Sequence, residues 1–323
     1  MNLPAYFWHV HSNNPSGGPK VMVLGGTHGD EHTGLWVVHH LLKKFGIEGA
    51  PCGSYQANGM LGDLYIGIGN PEAVLRGVRG VSIEKDLNRC FEPMVMDSPA
   101  NTFHDVMRAR ELFPLLCQMD YLFDIHAVSN PKASPFVCFG KMTPEHRRLC
   151  DLIPVRHILT DPDNILPTDD PGSQMLSTTD AVVDRNGGTA ITYETGFQSD
   201  ASKLPRAIRV LVRLLCGEGA GVIDDRLARH ILKGVKYVRP TMPDQRVFAL
   251  THCLVARSTD LGFEHGKKSM LKNWHPVCKG ERYGRYTDDG EVVLIPADGF
   301  IVFPTKPDRM KPNKAMVYIA RAL

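Results

Sequence analysis

Residues Val21–His32 read VMVLGGTHGDEH, an apolar run that passes through a glycine turn into a helical pattern. Downstream, apolar residues recur at spacings of three and four, and Gly46 follows the last of them as a stop signal. The segment therefore predicts a buried strand over Lys20–Leu24, joined by a tight turn to a helix over Glu31–Phe45.

The same alternation of apolar runs and helical patterns continues to about residue 216, which indicates an α/β layer fold. Further strands are predicted over Leu64–Ile68, Tyr121–Ile125, Phe136–Phe139 and Thr189–Tyr193, and further helices over Phe103–Met119 and Ser202–Leu215. A polar loop is predicted over Asp161–Gly172.

After about residue 224 the pattern changes to short apolar runs between turn signals, which predicts strands at Glu291–Ile295, Gly299–Phe303 and Ala315–Ile319. We therefore predict a main domain over residues 1–223 and a smaller all-β domain over residues 224–323.

Composition excludes several classes of protein. Of the 323 residues, 43% are hydrophobic and 22% charged, as in folded globular proteins. The 37 Lys and Arg residues nearly balance the 35 Asp and Glu residues. Because the basic residues are scattered along the sequence, no nucleic-acid partner is expected. Without a long apolar stretch or a leader pattern, we expect no membrane partner and a cytoplasmic location. The eight cysteines form no C-x-x-C pair, which argues against a thiolate zinc cluster; association into a homo-oligomer stays open.

Three predicted strand ends carry polar groups. His28 and Glu31 follow the first strand, His126 follows the apolar run Tyr121–Ile125, and Glu194 follows Thr189–Tyr193. The carboxyl ends of strands meet at one edge of an open α/β sheet, so these groups can converge. Two histidines and a carboxylate suit Zn²⁺, and an unliganded glutamate suits a general base.

Each residue alone has a simpler interpretation. His28 can be a turn residue, Glu31 a first-turn carboxylate, His126 a core histidine and Glu194 the partner of an arginine. The letters His28–His32 also fit H-x-x-E-H, in which both histidines of one helix bind zinc. Glycines at the turn argue against that continuous helix.

Asp86–Phe91 reads DLNRCF and suggests a carboxylate clamp. Arg89 can bind a carboxylate through two hydrogen bonds, and Asn88 adds an amide donor. Arg76 and Arg79 upstream add positive charge. The alternative is that Arg89 pairs with Asp86 or Glu84 on the surface.

Five motifs in order, GGTHGDE, GNPEA, DLNRCF, FDIHA and YETG, resemble those of the aspartoacylase and succinylglutamate desuccinylase family of zinc amidohydrolases, relatives of the metallocarboxypeptidases. The resemblance implies an α/β fold with a zinc-carboxypeptidase-like mixed sheet, helices on both faces, and a smaller C-terminal all-β domain like a barrel-sandwich. It implies one Zn²⁺ per chain, with His28, Glu31 and His126 as its ligands and Glu194 as the general base.

The resemblance further implies that Asn88 and Arg89 bind the substrate carboxylate and that Asp124 steadies a ligating histidine. Arg79 is the nearest match to the family's arginine that polarises the scissile carbonyl. About two more residues than in the family lie between this arginine and the DLNRCF motif. Tyr283, Tyr286 and Tyr318 are all candidates for an aromatic hydroxyl, and none is chosen.

These expectations describe a zinc-dependent deacylase that cleaves the amide bond of a small anionic N-acyl amino acid or a related compound. Two alternatives stay open, a metallocarboxypeptidase acting on peptides and a non-catalytic metal-dependent binding protein. A Ser-His-Asp hydrolase is disfavoured because no G-x-S-x-G motif occurs.

Overall fold

The computed structural model describes residues 3–12, 17–82, 86–166, 178–238, 242–262, 272–305 and 310–323. The chain forms two compact units, the first made of Met1–Arg156 with Ser177–Gln245 and the second of His157–Leu176 with Arg246–Leu323. Glu84 and the end of the predicted loop Asp161–Gly172 lie outside the described residues.

The first unit is built on a mixed sheet. Its strands are β1 (Phe7–His11), β2 (Lys20–Gly25), β3 (Gly53–Gln56), β4 (Asp63–Ile68), β5 (Tyr121–Val128), β6 (Phe136–Phe139) and β8 (Thr189–Phe197). They lie in the order β6-β8-β5-β2-β4-β1-β3. The central strands β4, β2, β5 and β8 are parallel, while β1 and β6 pair antiparallel with β4 and β8.

Helices accompany this sheet. They are α1 (His32–Lys44), α2 (Pro71–Arg76), α3 (Pro93–Met96), α4 (His104–Leu116), α5 (Pro144–Cys150), α6 (Thr179–Arg185), α7 (Leu204–Leu215) and α8 (Asp225–Leu232), with short 3-10 turns at Leu87–Arg89 and Ala201–Lys203. None of the described helices has the length and hydropathy that a bilayer crossing requires.

The two faces of the sheet bury different apolar sets. Met22 and Leu24 of β2 join one core with residues of α4 and α6. Side chains alternate along a strand, so Val21 and Val23 point to the opposite face, and α1 contacts β2, β4 and β5. The mixed α/β fold predicted for this part of the chain is therefore confirmed.

The turn between β2 and α1 depends on two glycines. Gly26 has a φ of 66°, a left-handed conformation that favours glycine. A Cβ on Gly29 would come within 2.1 Å of the Ala73 backbone. The chain can therefore turn sharply after β2 and pass close to α2, which brings residue 28 over the end of the strand.

Asp105 fixes the segment that leads to the DLNRCF motif. It is fully buried in the first turn of α4 and accepts hydrogen bonds from Asn70 Nδ2 (2.7 Å), Val81 N (3.3 Å), Ser82 N (2.7 Å) and Ser82 Oγ (2.7 Å). One carboxylate therefore joins α4, the N-cap of α2 and the chain just after Arg79.

Asp105→Asn is expected to destabilise the protein by at least about 2 kcal/mol, because an amide presents donors to buried N–H groups that need an acceptor. Urea unfolding would measure the change, with exposed Asp97→Asn as the control. An unchanged midpoint for Asp105→Asn would show that these bonds do not hold the segment.

The described elements of the second unit are strands. They are β7 (His157–Thr160), β9 (Arg246–Val255), β10 (Leu261–Gly262), β11 (Pro276–Val277), β12 (Arg282–Tyr286), β13 (Val292–Leu294), β14 (Gly299–Val302) and β15 (Ala315–Ala322). Within this unit the strand orders are β11-β14-β15-β9-β7 and β10-β12-β13. The predicted C-terminal strands are confirmed.

The compact units do not follow the predicted division at residues 223 and 224. Helix α8 begins at Asp225 yet belongs to the first unit, because Leu227 and Ile231 are buried and His40 Nε2 lies 2.9 Å from the Ile231 carbonyl oxygen. Strand β7 pairs in parallel with β9 and so groups with the C-terminal strands. A functional domain boundary at residue 224 stays a prediction.

Candidate metal centre

The predicted ligand residues come from three places in the first unit. His28 lies in the turn after β2, Glu31 is the N-cap residue of α1, and His126 lies in β5. Strand β5 continues two residues beyond His126 because its pairing with β8 extends to Val128 and Phe197. Glu194 is the β8 partner of His126 in that parallel pair, so both residues occupy one level of the sheet.

Glu31 lies between the two imidazoles. Its Oε1 is 2.7 Å from His28 Nδ1, and its Oε2 is 3.0 Å from His126 Nδ1. The backbone N–H of Ala127 donates to Glu31 Oε2 at 2.8 Å, which fixes the carboxylate. One possible ligand atom from each of His28, Glu31 and His126 lies within 4.8 Å of the others, and all three residues are buried. The structure therefore brings the predicted triad together.

The other nitrogen of each imidazole faces a second carboxylate. His126 Nε2 lies 3.1 Å from Asp124 Oδ2, and His28 Nε2 lies 3.6 Å from Asp86 Oδ1. Metal-binding histidines commonly have such a carboxylate behind them, which fixes the tautomer and the ring orientation. The structure places Asp124 beside the far nitrogen of His126, and its steadying role stays a prediction. The similar position of Asp86 behind His28 was not predicted.

The charges of this cluster perturb its titration. Burial opposes the charged form of His126, but Asp124 and Glu31 outweigh burial and raise its pKa well above the usual value. The pKa of His28 is also raised, because Glu31 and Asp86 outweigh burial and Arg79. Burial would raise the pKa of Glu31, yet the two imidazoles hold it low. The neighbouring carboxylates therefore favour the protonated form of both imidazoles.

Glu194 is a further buried carboxylate beside this cluster. It is 8% exposed, and its Oε2 has no hydrogen-bond partner among the described residues. Burial, together with the charge of Glu31, raises the pKa of Glu194 to about 7, against the opposing effect of His126 and His28. A buried carboxylate without a partner is costly unless something occupies the space it faces.

These observations fit a divalent cation. Two imidazole nitrogens and a carboxylate oxygen are a donor set typical of catalytic zinc sites, which keep a further position open. The unpartnered Glu194 Oε2 is a polar atom that such an occupant could satisfy. The described residues therefore fit a metal ion, with His28, Glu31 and His126 as its ligands.

The alternative zincin pattern is wrong for this chain. Helix α1 begins at His32, and Glu31 has the extended backbone of an N-cap residue, with φ −102° and ψ 91°. His28 and His32 consequently do not share a helix. The described metal-binding cluster uses His28, Glu31 and His126.

The arginines cluster around Asp86. Arg79 Nε donates to Asp86 Oδ2 at 2.9 Å, and Arg79 Nη1 lies 3.5 Å from Glu31 Oε1. Arg89 Nη1 is 4.0 Å from Asp86 Oδ1, at the limit of an ion pair. The Arg79 side chain is 51% exposed. Arg79 therefore reaches the edge of the metal-binding cluster despite the extra residues before the motif.

Asn88 is buried beside Arg89 and is fixed by α6. Its Oδ1 accepts a hydrogen bond from the Thr179 backbone N–H at 3.1 Å, while Thr179 Oγ1 donates to Asp124 Oδ2 at 2.7 Å. Thr27 Oγ1 also donates to Asp124, at 3.0 Å from Oδ1. Asn88 is thus connected to the carboxylate behind His126.

Sequence reasoning did not assign Thr27, Asp86 or Thr179 to this site. Asp86 stands inside DLNRCF and Thr27 precedes His28, so their neighbours gave a signal. Thr179 offered none, because its contacts are with residues 55 and 91 positions away. The candidate tyrosines, Tyr283, Tyr286 and Tyr318, are buried within the second unit.

Comparison with known proteins gives a family match over this region. A sequence model described as "Succinylglutamate desuccinylase/Aspartoacylase catalytic domain" matches residues 17–204, more than half of the chain. The match includes every residue of the metal-binding cluster and Glu194.

Individual relatives share modest sequence identity with part of this chain. A "Probable aspartoacylase" of Prochlorococcus marinus (strain MIT 9313) is 28% identical over 137 residues, 38% of this chain and 39% of that protein. An "N-acyl-aromatic-L-amino acid amidohydrolase (carboxylate-forming)" of Rattus norvegicus is 28% identical over 187 residues, 55% of this chain and 53% of that protein. The matched stretches thus span about half or less of these relatives.

Structural similarity covers more of the chain than sequence similarity does. The crystal structure of a succinylglutamate desuccinylase/aspartoacylase from Rhodobacter sphaeroides aligns with 98% of this chain and 87% of its own, with a TM-score of 0.64 and 19% identity. This similarity concerns the fold.

Proposed function

Since the chain belongs to the succinylglutamate desuccinylase/aspartoacylase catalytic domain family, a family of deacylases, we propose that it is a zinc-dependent amidohydrolase. Its proposed substrate is a small anionic N-acyl amino acid or a related compound. The observation that carries this proposal is the buried triad of His28, Glu31 and His126 beside Glu194, a buried glutamate whose Oε2 has no hydrogen-bond partner among the described residues.

The proposed metal is Zn²⁺, held by His28, Glu31 and His126. When bound, it supplies Lewis acidity, which polarises a carbonyl and acidifies water. Asp124 and Asp86 are proposed to orient the two imidazoles, since each lies near the far nitrogen of one ring, at 3.1 and 3.6 Å.

Glu194 is the proposed general base. Its carboxylate takes a proton from the attacking water and passes it to the nitrogen of the leaving amine. A pKa raised toward 7 by burial makes the carboxylate a stronger base than an exposed glutamate. Its place opposite His126 in the sheet puts it beside the ligand cluster.

Arg89 and Asn88 are proposed to bind the substrate carboxylate. The Arg89 side chain is 23% exposed, so it can pair with an anion that enters from solvent. Arg79 is proposed to stabilise charge that develops on the carbonyl oxygen, where one placed donor contributes roughly 3 kcal/mol to catalysis. Its half-exposed position next to Glu31 supports this role.

A substrate panel combined with metal analysis tests the proposal. Purified protein with Zn²⁺ should release the free amine from N-acyl amino acids and lose this activity on chelation. Cleavage of C-terminal peptide bonds only would favour the metallocarboxypeptidase. Metal binding without hydrolysis of either class would favour the binding protein.

Arg89→Ala is expected to raise KM for N-acyl amino acids by about 10- to 100-fold, because a hydrogen bond to a charged group contributes about 1.5–3 kcal/mol. Steady-state kinetics on the acid and on its uncharged methyl ester would measure this, and the ester should be almost unaffected. Arg76→Ala, which removes an arginine paired with Glu72 on α2, is the matched control. Equal losses on acid and ester would argue against the clamp.

A further inference from the structure

We propose that Thr179 is a positioning residue that orients both halves of the site, the metal-ligand side through its hydroxyl and the substrate side through its backbone N–H. The substrate half of this inference rests on the proposed function, whereas the metal half requires only that the triad binds Zn²⁺. Thr179 is fully buried and is the first residue of α6.

The hydroxyl acts on the ligand side. Thr179 Oγ1 donates to Asp124 Oδ2 at 2.7 Å, the same oxygen that lies 3.1 Å from His126 Nε2. Thr27 Oγ1 approaches both oxygens of Asp124, at 3.0 and 3.1 Å. Two hydroxyl donors from separate elements therefore hold the Asp124 carboxylate beside His126. Removing the direct partner of a metal-bound histidine lowers metal affinity by about 10- to 100-fold, so misplacing Asp124 is expected to weaken metal binding.

The backbone N–H acts on the substrate side. Because an N–H can only donate, the Asn88 atom 3.1 Å away must be the carbonyl oxygen Oδ1. This assigns the orientation of the amide, and it makes Nδ2 the end that can donate to a carboxylate. The Thr179 N–H is thus a contact that fixes which end of the Asn88 amide is the acceptor, and we expect its loss to weaken binding of a substrate carboxylate.

The helix holds Thr179 in place independently of these contacts. Thr178 is the N-cap residue, and its hydroxyl accepts from Ala181 N at 3.4 Å. Val182 and Val183 of the same helix are buried in the core with Leu122 of β5 and Ala190 of β8. Because α6 is anchored by its cap and its apolar face, the two polar contacts of Thr179 can be removed without removing the helix.

Two variants separate the two contacts. Thr179→Val keeps the shape and the N–H but removes the hydroxyl. Thr179→Pro removes the N–H as well. Proline is suited to the first position of a helix, where the N–H has no partner within the helix. Thr178 has φ −102° and ψ 161°, an extended conformation that a following proline requires.

The experiment titrates Zn²⁺ alone against a competing chelator on the full-length metal-free protein. We expect Thr179→Val to weaken Zn²⁺ binding by about 10-fold or more, Thr179→Ser to restore it, and Thr178→Val to lower the Tm with unchanged Zn²⁺ affinity. Wild-type Zn²⁺ affinity in Thr179→Val, or an equal loss in Thr178→Val, would overturn the proposal.

Kinetics on an N-acyl amino acid test the substrate half. We expect Thr179→Val to keep the wild-type KM and Thr179→Pro to raise it by about 10-fold, as loss of a charge-assisted hydrogen bond does. An unchanged KM in folded Thr179→Pro would refute the role of the N–H. If no N-acyl amino acid is hydrolysed by the wild type, the proposed function fails, and the Zn²⁺ titration still decides whether Thr179 positions the ligand side.

Discussion

Glu194→Gln is expected to lower kcat by about 10²- to 10⁴-fold while Zn²⁺ binds as in the wild type. Glutamine has nearly the shape of glutamate, so packing against β6 and β5 is preserved. It cannot accept a proton from water at neutral pH. The variant therefore removes one chemical capability from a site that otherwise stays intact.

The expected separation of catalysis from metal binding follows from the position of Glu194. The ligand triad is complete without it, because His28, Glu31 and His126 bring their ligand atoms within 4.8 Å of one another. Glu194 adds a carboxylate with a pKa raised by burial to about 7, and its Oε2 has no hydrogen-bond partner among the described residues.

Stopped assays for amine release and Zn²⁺ stoichiometry by elemental analysis would measure both properties. Exposed Glu48→Gln makes the same chemical change elsewhere on the first unit and should leave both properties unaltered. A Glu194→Gln enzyme with near-wild-type kcat would refute the general-base role. Loss of both Zn²⁺ and activity would instead make Glu194 a ligand.

The sequence predicted the parts of the site that local patterns encode. His28 and Glu31 stand at a glycine turn between a strand and a helix, and an apolar strand delivers His126. Periodicity and turn residues report such features directly. Convergence then followed from one rule, that the carboxyl ends of parallel strands meet at one edge of the sheet.

The parts that were not predicted depend on contacts between distant residues. Thr179 reaches Asp124 and Asn88 because α6 packs on β5 and β8, and no periodicity encodes that packing. Strand β7 pairs with β9 although their first residues, His157 and Arg246, are 89 positions apart in the sequence. Composition changes near residue 224 could not reveal that α8 packs back on the first unit, because burial of Ile231 is a tertiary property.

Glu31→Gln is expected to weaken Zn²⁺ binding by more than about 100-fold and to abolish hydrolysis with it. Loss of a residue that only supports a ligand weakens metal binding by up to about 100-fold, and loss of a ligand itself should weaken it more. Glu31 is the one charged ligand of the triad, and both imidazoles face its oxygens at 2.7 and 3.0 Å. A glutamine oxygen can still accept from the Ala127 N–H, so the turn keeps its hydrogen bond. The neutral amide is a far poorer ligand for a divalent cation, however.

Thermal unfolding measures this loss without any substrate. A ligand at 100 times its Kd stabilises the folded protein by about 2.7 kcal/mol, so Zn²⁺ should raise the Tm of the wild type and of the control Glu72→Gln by several degrees. Glu31→Gln should show no such rise at the same Zn²⁺ concentration. An equal rise in Glu31→Gln would mean that Zn²⁺ binds elsewhere, and the triad would then be a buried hydrogen-bonded cluster in which protons on His28 and His126 balance the carboxylates.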